Sequence, residues 1–220
     1  MTCFIMPHKL YVFLLLFFCL NCRAIAQKPF AEGIIVYKVK LESTGNNLIT
    51  GYYTFTIKGD QVRKEIKLNN GYQDIVILYC GTKKSVSLQN LNGKKYAIEL
   101  NMPEMINNEK KFQGFTISGE QAADKNIAGC KAFAANISYT DGTNAPVYYT
   151  KEWRPTQPNT FDRFPNAFFL PLDFYYKDEH GMTMWFEAEK IEPGPVENAV
   201  FRIPHDYKII SYAEYKELNK

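Results

Sequence analysis

Apolar and polar residues alternate through most of this chain, and a period of two marks strands rather than helices. The pattern is clearest in Tyr52–Leu68. Tyr53, Phe55 and Ile57 fall on one face of a strand, and Gly59-Asp60 turns the chain back. Gly59 supplies the positive φ that a two-residue turn needs. That loop sets Ile57 opposite Val62 and Tyr53 opposite Ile66. Lys64, opposite Phe55, is the one misfit on an otherwise apolar face, while Thr54, Thr56, Arg63, Glu65 and Lys67 take the other. Ile34–Leu41 precedes this ribbon with Ile35, Tyr37, Val39 and Leu41 on one side and Lys38 and Lys40 on the other. Together they open a curled antiparallel sheet.

The same reading extends down the chain. Asp74–Cys80 holds an unbroken apolar run, Ile75–Tyr79, so that strand is expected to be covered on both faces. Ser85–Asn90 and Lys94–Leu100 form a hairpin. Keeping like faces together asks for a three-residue loop, Leu91–Gly93, with Val86 opposite Ile98, Leu88 opposite Tyr96 and a bulge at Gly93. In Met102–Phe112, Pro103 suits a first helical turn, giving a short helix or an ordered loop that lays Met102, Met105 and Ile106 over apolar surface. Phe115–Ser118 and Asp124–Ala128 read as two short strands separated by Gly119. Cys130–Thr140 and Pro146–Trp153 make a hairpin turned by Asp141-Gly142-Thr143. The three prolines of Arg154–Pro165 mark a long connection, with a turn of helix around Phe161–Phe164. Ala167–Tyr176 leads through Glu179-His180-Gly181 into Met182–Ile191, where Met182, Met184, Phe186 and Ala188 alternate with Thr183, Trp185, Glu187 and Glu189. Val200–Ile203 is a last short strand. Ser211 and Glu214 match a capping box, and Tyr212, Tyr215 and Leu218 recur at helical spacing in a final helix that docks through its tyrosines. Hairpin follows hairpin without long helices between, which makes the fold mainly β, an α+β meander.

The first 26 residues stand apart. His8 and Lys9 precede the apolar run Leu10–Leu20, and Ala24-Ile25-Ala26 follows, the three-part pattern of an export signal. The run is shorter than the roughly 20 residues of a spanning helix. Lipoprotein processing at Cys22 or Cys19 is disfavoured, because Asn21 and Phe18 precede them where a small residue is needed. Cleavage after Ala26 is expected to leave one domain, residues 27–220, in the periplasm or cell envelope. Lys9 and Arg23 leave with the signal and lower the formal net charge of +3 by two, which removes any basic excess for nucleic acid. Cys80 and Cys130 remain, in a compartment where disulfides persist. A bridge between them and two buried thiols both fit the sequence.

With these elements in place, the chain resembles a known group. Glu32-Gly33-Ile34-Ile35-Val36-Tyr37, the ribbon Phe55–Arg63, Ile127-Ala128-Gly129-Cys130-Lys131-Ala132, Leu170-Pro171-Leu172 and Ile203-Pro204-His205-Asp206-Tyr207-Lys208 follow in order. This is similar to periplasmic domains of the LolA-like superfamily, including the GLPGLI type, although Leu170-Pro171-Leu172 departs from the full GLPGLI string. The resemblance implies a strongly curved antiparallel sheet forming an incomplete barrel, with short covering helices over its open face. It implies a cavity that holds acyl chains in the family's lipoprotein carrier, and it brings no motif of catalytic residues.

Candidate chemistry is thin. His180 lies in a turn beside Asp178 and Glu179, and His205-Asp206 follows Pro204 in the final connection; neither has the convergent ligands of a metal site. HExxH, GxSxG and a phosphate-binding glycine loop are absent. A hydrolase using Cys80 or Cys130 ranks last, since both sit in apolar surroundings. No catalytic residue, metal or cofactor is therefore expected. Asn136-Ile137-Ser138 fits a glycosylation sequon.

The aromatic excess carries the functional expectation. Phe161, Phe164, Phe168, Phe169, Phe174, Tyr175, Trp185 and Phe186 crowd one part of the chain. A partly closed sheet cannot fill its inner face alone, and methionines adapt to varied shapes. The expected apolar lining is Met102, Met105, Phe168, Phe174, Met182, Met184, Trp185 and Phe186. The expected ligand is a lipid, an acyl chain or a lipoprotein, and peripheral contact with the envelope membrane belongs to the same expectation. The alternative is an envelope interaction module whose core is filled by its own rings.

Overall fold

The computed structural model describes residues 27–42, 48–101, 114–177 and 182–218. Their strands are β1 (Lys28–Phe30), β2 (Glu32–Glu42), β3 (Leu48–Lys58), β4 (Gln61–Leu68), β5 (Gln73–Tyr79), β6 (Lys84–Leu91), β7 (Lys94–Asn101), β8 (Phe115–Ile127), β9 (Cys130–Tyr139), β10 (Asn144–Thr150), β11 (Trp153–Pro155), β12 (Leu170–Lys177), β13 (Thr183–Pro193) and β14 (Lys208–Ser211). One 3-10 turn, Asn198–Phe201, and one α-helix, α1 (Tyr212–Leu218), complete the described elements.

Twelve strands form one sheet in the order β14-β7-β6-β5-β4-β3-β2-β13-β12-β10-β9-β8. Every pairing is antiparallel except β14 on β7, and the sheet curves without closing into a barrel. β1 and β11 pair in parallel as a separate ribbon. The hairpin register read from the pattern holds, with Ile57 opposite Val62, Tyr53 opposite Ile66 and Lys64 opposite Phe55. Gly59 takes φ +58° at the turn.

The inward file of β2 (Ile35, Tyr37, Val39, Leu41) is buried, and so is the inward Phe55-Ile57 pair of β3. These residues meet Phe174 and Leu172 of β12 and Phe186 and Ala188 of β13 in the main core. Tyr37 lies at its centre, fully buried, donating its hydroxyl to Pro171 O at 2.8 Å. The expected double cover of Ile75–Tyr79 is also present. Ile75 and Ile77 join Val86, Leu88 and Ala97 in a second cluster on the convex face, beneath Val196 and Phe201. Tyr79 donates to Phe201 O at 2.7 Å and fixes that cover. At its near end, Glu32 accepts from Val196 N at 2.8 Å and pairs with Lys58 at 3.2 Å.

Several expectations need correction. The β6–β7 loop has two residues, Asn92-Gly93, both at positive φ (52° and 80°), so Leu88 faces Ala97 and Gln89 faces Tyr96. The like-face argument assumed a wet side, but here the convex side is apolar too. Phe115–Ile127 is one strand whose register shifts absorb Gly119, not two strands. Val200–Ile203 does not pair: the segment turns at Asn198–Phe201, and the last strand is β14. The capping box forms, Ser211 N to Glu214 Oε2 at 2.7 Å and Glu214 N to Ser211 Oγ at 3.2 Å. α1 buries no residue, however; its tyrosines stack on each other at 6.1 Å instead of entering the core. The Met102–Phe112 segment and the turn holding His180 lie outside the described residues. Among those described, the cover of the concave face is a strap between β11 and β12 made of successive turns (Thr160 N to Gln157 O, Phe164 N to Phe161 O, Ala167 N to Phe164 O) and no helix.

Candidate functional site

The trough between the strap and the sheet keeps a cavity of about 160 Å³. Its floor is Tyr53 and Phe55 of β3, Lys64 and Ile66 of β4, and Asp74 and Val76 of β5. Phe174, Tyr176, Met184 and Phe186 of β12 and β13 form the facing wall, and Phe161–Phe164 of the strap form the roof. Alternation brings these side chains together, since each is the inward member of its strand. A shallower groove of about 490 Å³ lies elsewhere, between Gln61, Tyr79 and Phe201–Ile203.

Rings occupy much of the trough. Phe161 packs on Phe55 at 5.1 Å and edge-on to Tyr37 at 6.4 Å. Phe164 meets Phe174 at 5.0 Å, and Phe174 stacks on Phe186 at 4.9 Å. Polar ties also hold the strap. Lys64 Nζ reaches Asp162 Oδ1 at 2.5 Å and Asn159 O at 3.3 Å. Gln157 Nε2 donates to Gly59 O at 3.0 Å, and Gln27 Nε2 donates to Phe168 O and Trp153 O.

Lys64 is the unusual member, a cation 5% exposed within an apolar file, whereas Asp162 is 53% exposed. Asp74 also lines the cavity, and burial raises its carboxyl above the ordinary value despite the opposing hydrogen bond from Ile75 N. Gln89 Nε2 donates to Asp74 at 2.8 Å. The Arg163 guanidinium lies over the Tyr176 ring at 4.1 Å. Burial pushes the Tyr53 hydroxyl well up. The cavity is thus apolar over most of its wall, with a polar edge of alternating charge.

Of the eight lining residues expected, Phe174, Met184 and Phe186 border the cavity. Met182 packs against the main core without bordering it. Phe168 turns outward and is 57% exposed. Trp185 is on the convex face of β13, beside Tyr175 at 6.4 Å, as the alternation with Met184 and Phe186 requires. Met102 and Met105 lie outside the described residues. Tyr53, Lys64, Asp74, Phe161 and Arg163 were not among those eight; Phe161 had signalled itself in the aromatic cluster and Lys64 as the misfit opposite Phe55, whereas Asp74 and Arg163 carried no signal. Cys80 and Cys130 are unbridged, and burial raises both thiols, which keeps them protonated and poor nucleophiles. No metal-binding group of His, Cys, Asp and Glu occurs among the described residues, and no described helix is long and apolar enough to cross a membrane.

No family model matches the chain, and no curated protein matches it. Among solved structures, the chain is similar to a LolA superfamily protein from Nitrosomonas europaea, at 9% identity and a TM-score of 0.39, over 80% of this chain and 92% of that one.

Proposed function

We propose that this is an exported, non-catalytic domain of the periplasm or cell envelope that binds an apolar chain, such as the acyl chain of a lipid or lipoprotein, between the concave face and the strap. Kinship with LolA-like domains of the GLPGLI type, read from short sequence motifs, belongs to the same proposal. The observation that carries the function is the cavity of about 160 Å³ under Phe161 and Phe164, walled by Phe55, Phe174 and Phe186. Its size bounds the mechanism. An engineered cavity of roughly 150 Å³ holds benzene, and sites for drug-sized ligands start at about 300 Å³. At this volume the trough buries a ring or the end of a chain, and a longer chain is buried only as Phe161 and Phe164 withdraw with the strap. Burial supplies about 25 cal/mol per Å² of apolar area before the cost of association.

Native mass spectrometry of the protein purified from its host's envelope tests this. A retained lipid mass is expected. A bare protein mass, together with an unchanged melting temperature across a panel of acyl compounds, defeats it. The density of ring contacts around the fully buried Tyr37 favours a second reading, an interaction module with a filled core. That reading predicts the bare mass and a protein partner recovered from the envelope fraction.

A further inference from the structure

Resting on the reading of the trough as a site for an apolar chain, we infer that the ligand is a single-chain amphiphile with a carboxylate head, and that this head replaces Asp162 on Lys64. Lys64 is an inward residue of β4, between Val62 and Ile66, and its side chain is 5% exposed. Both acceptors that hold its ammonium, Asp162 Oδ1 at 2.5 Å and Asn159 O at 3.3 Å, belong to the strap and not to the sheet. The cation is built into the floor, while its counter-charge sits on the removable roof.

A cavity of about 160 Å³ is too small to bury a long chain with the roof in place. Withdrawal of the strap takes both acceptors away together and leaves a buried cation unpaired, a costly state in an apolar surround. A neutral ligand does nothing to relieve it, and a cationic ligand meets Lys64 and Arg163. A carboxylate exchanges for Asp162 with no change in the total charge of the site. Of the other charged groups lining the cavity, Asp74 is engaged by Gln89 at 2.8 Å and Arg163 covers the Tyr176 ring. The chain then lies along Phe55, Phe174 and Phe186, so head and tail both match their walls.

Calorimetric titration of the protein with decanoate and with decanol at pH 8 separates head from tail. Decanoate is expected to bind roughly tenfold tighter than decanol. Lys64→Met is expected to keep decanol binding and lose the preference; Lys64→Arg is expected to keep it. Asp162→Asn, which frees Lys64 and unties the strap, is expected to tighten decanoate and decanol alike by several-fold and to keep the preference for the acid. Equal affinities for acid and alcohol in the wild type, or a preference that survives in Lys64→Met, overturns the inference while leaving the apolar site intact. If neither compound binds, the apolar-chain reading falls and takes this inference with it.

Discussion

At the scale of single residues, the Lys64–Asp162 pair is asymmetric, and its mutants should be asymmetric too. Removing the buried partner removes its desolvation cost as well. Removing the exposed partner leaves a buried charge. Lys64→Met is therefore expected to change stability by less than about 1 kcal/mol, and Asp162→Ala to cost about 1–3 kcal/mol, both read from urea unfolding. Asp74 gives a pH-dependent case. Its folded pKa lies above the ordinary 3.8, chiefly through desolvation, so the native state holds the proton to a higher pH than the unfolded chain. Stability from this group is greatest at acid pH and is lost as pH rises from 3.8 through the raised value. Asp74→Asn keeps an oxygen for Gln89 and removes the penalty. Its melting temperature should exceed that of the wild type at pH 7, and the gap should shrink toward pH 3.8. Lys64 was legible in the sequence because one charge broke an apolar file. Asp162 was not, because it lies 98 residues away in a segment without periodicity. Trp185 shows the opposite fault: its own alternation with Met184 and Phe186 already placed it on the outer face, and aromatic content alone had drawn it into the lining.

At the scale of elements, most strands were readable, and so was the need for a cover over Ile75–Tyr79, but not the segment that supplies it. Period-two patterning found β2, β3 and β4, and the register of β3 on β4, since one wet face fixes which way each strand faces. It failed for β6 and β7, where both faces are covered and the Asn92-Gly93 turn decides the pairing. The segment after β13 was misread for a related reason. Val200–Ile203 looks like a strand, but Phe201 serves by dropping into the convex cluster with Ile75, Ile77 and Val86, while Tyr79 takes up its carbonyl. That role makes a quantitative claim. Phe201→Ala leaves a hole in the second cluster and is expected to cost about 3–5 kcal/mol by denaturant unfolding, far more than a residue of an exposed terminal strand. Exchange of the β5 and β6 amides should rise in the same variant, because their convex cover is loosened.

At the scale of the whole molecule, one open sheet carries two covers of different kinds. The convex cover is secured by backbone carbonyls and by the Glu32–Lys58 clamp on Val196. The concave strap rests on rings and on ties that include Lys64–Asp162, and it is the cover that an entering chain has to displace. The two tryptophans report on this division. Trp153 opens β11 just ahead of the strap, packs edge-on against Phe30 at 5.7 Å and shares Gln27 with the strap residue Phe168. Trp185 lies outside the sheet with Tyr175, on the face opposite the cavity. If a chain enters by displacing the strap, emission should change through Trp153 alone. The response to decanoate should survive in Trp185→Phe and disappear in Trp153→Phe. A response that follows Trp185 would mean that the ligand meets the convex face, and the concave trough would then be a core and not a site.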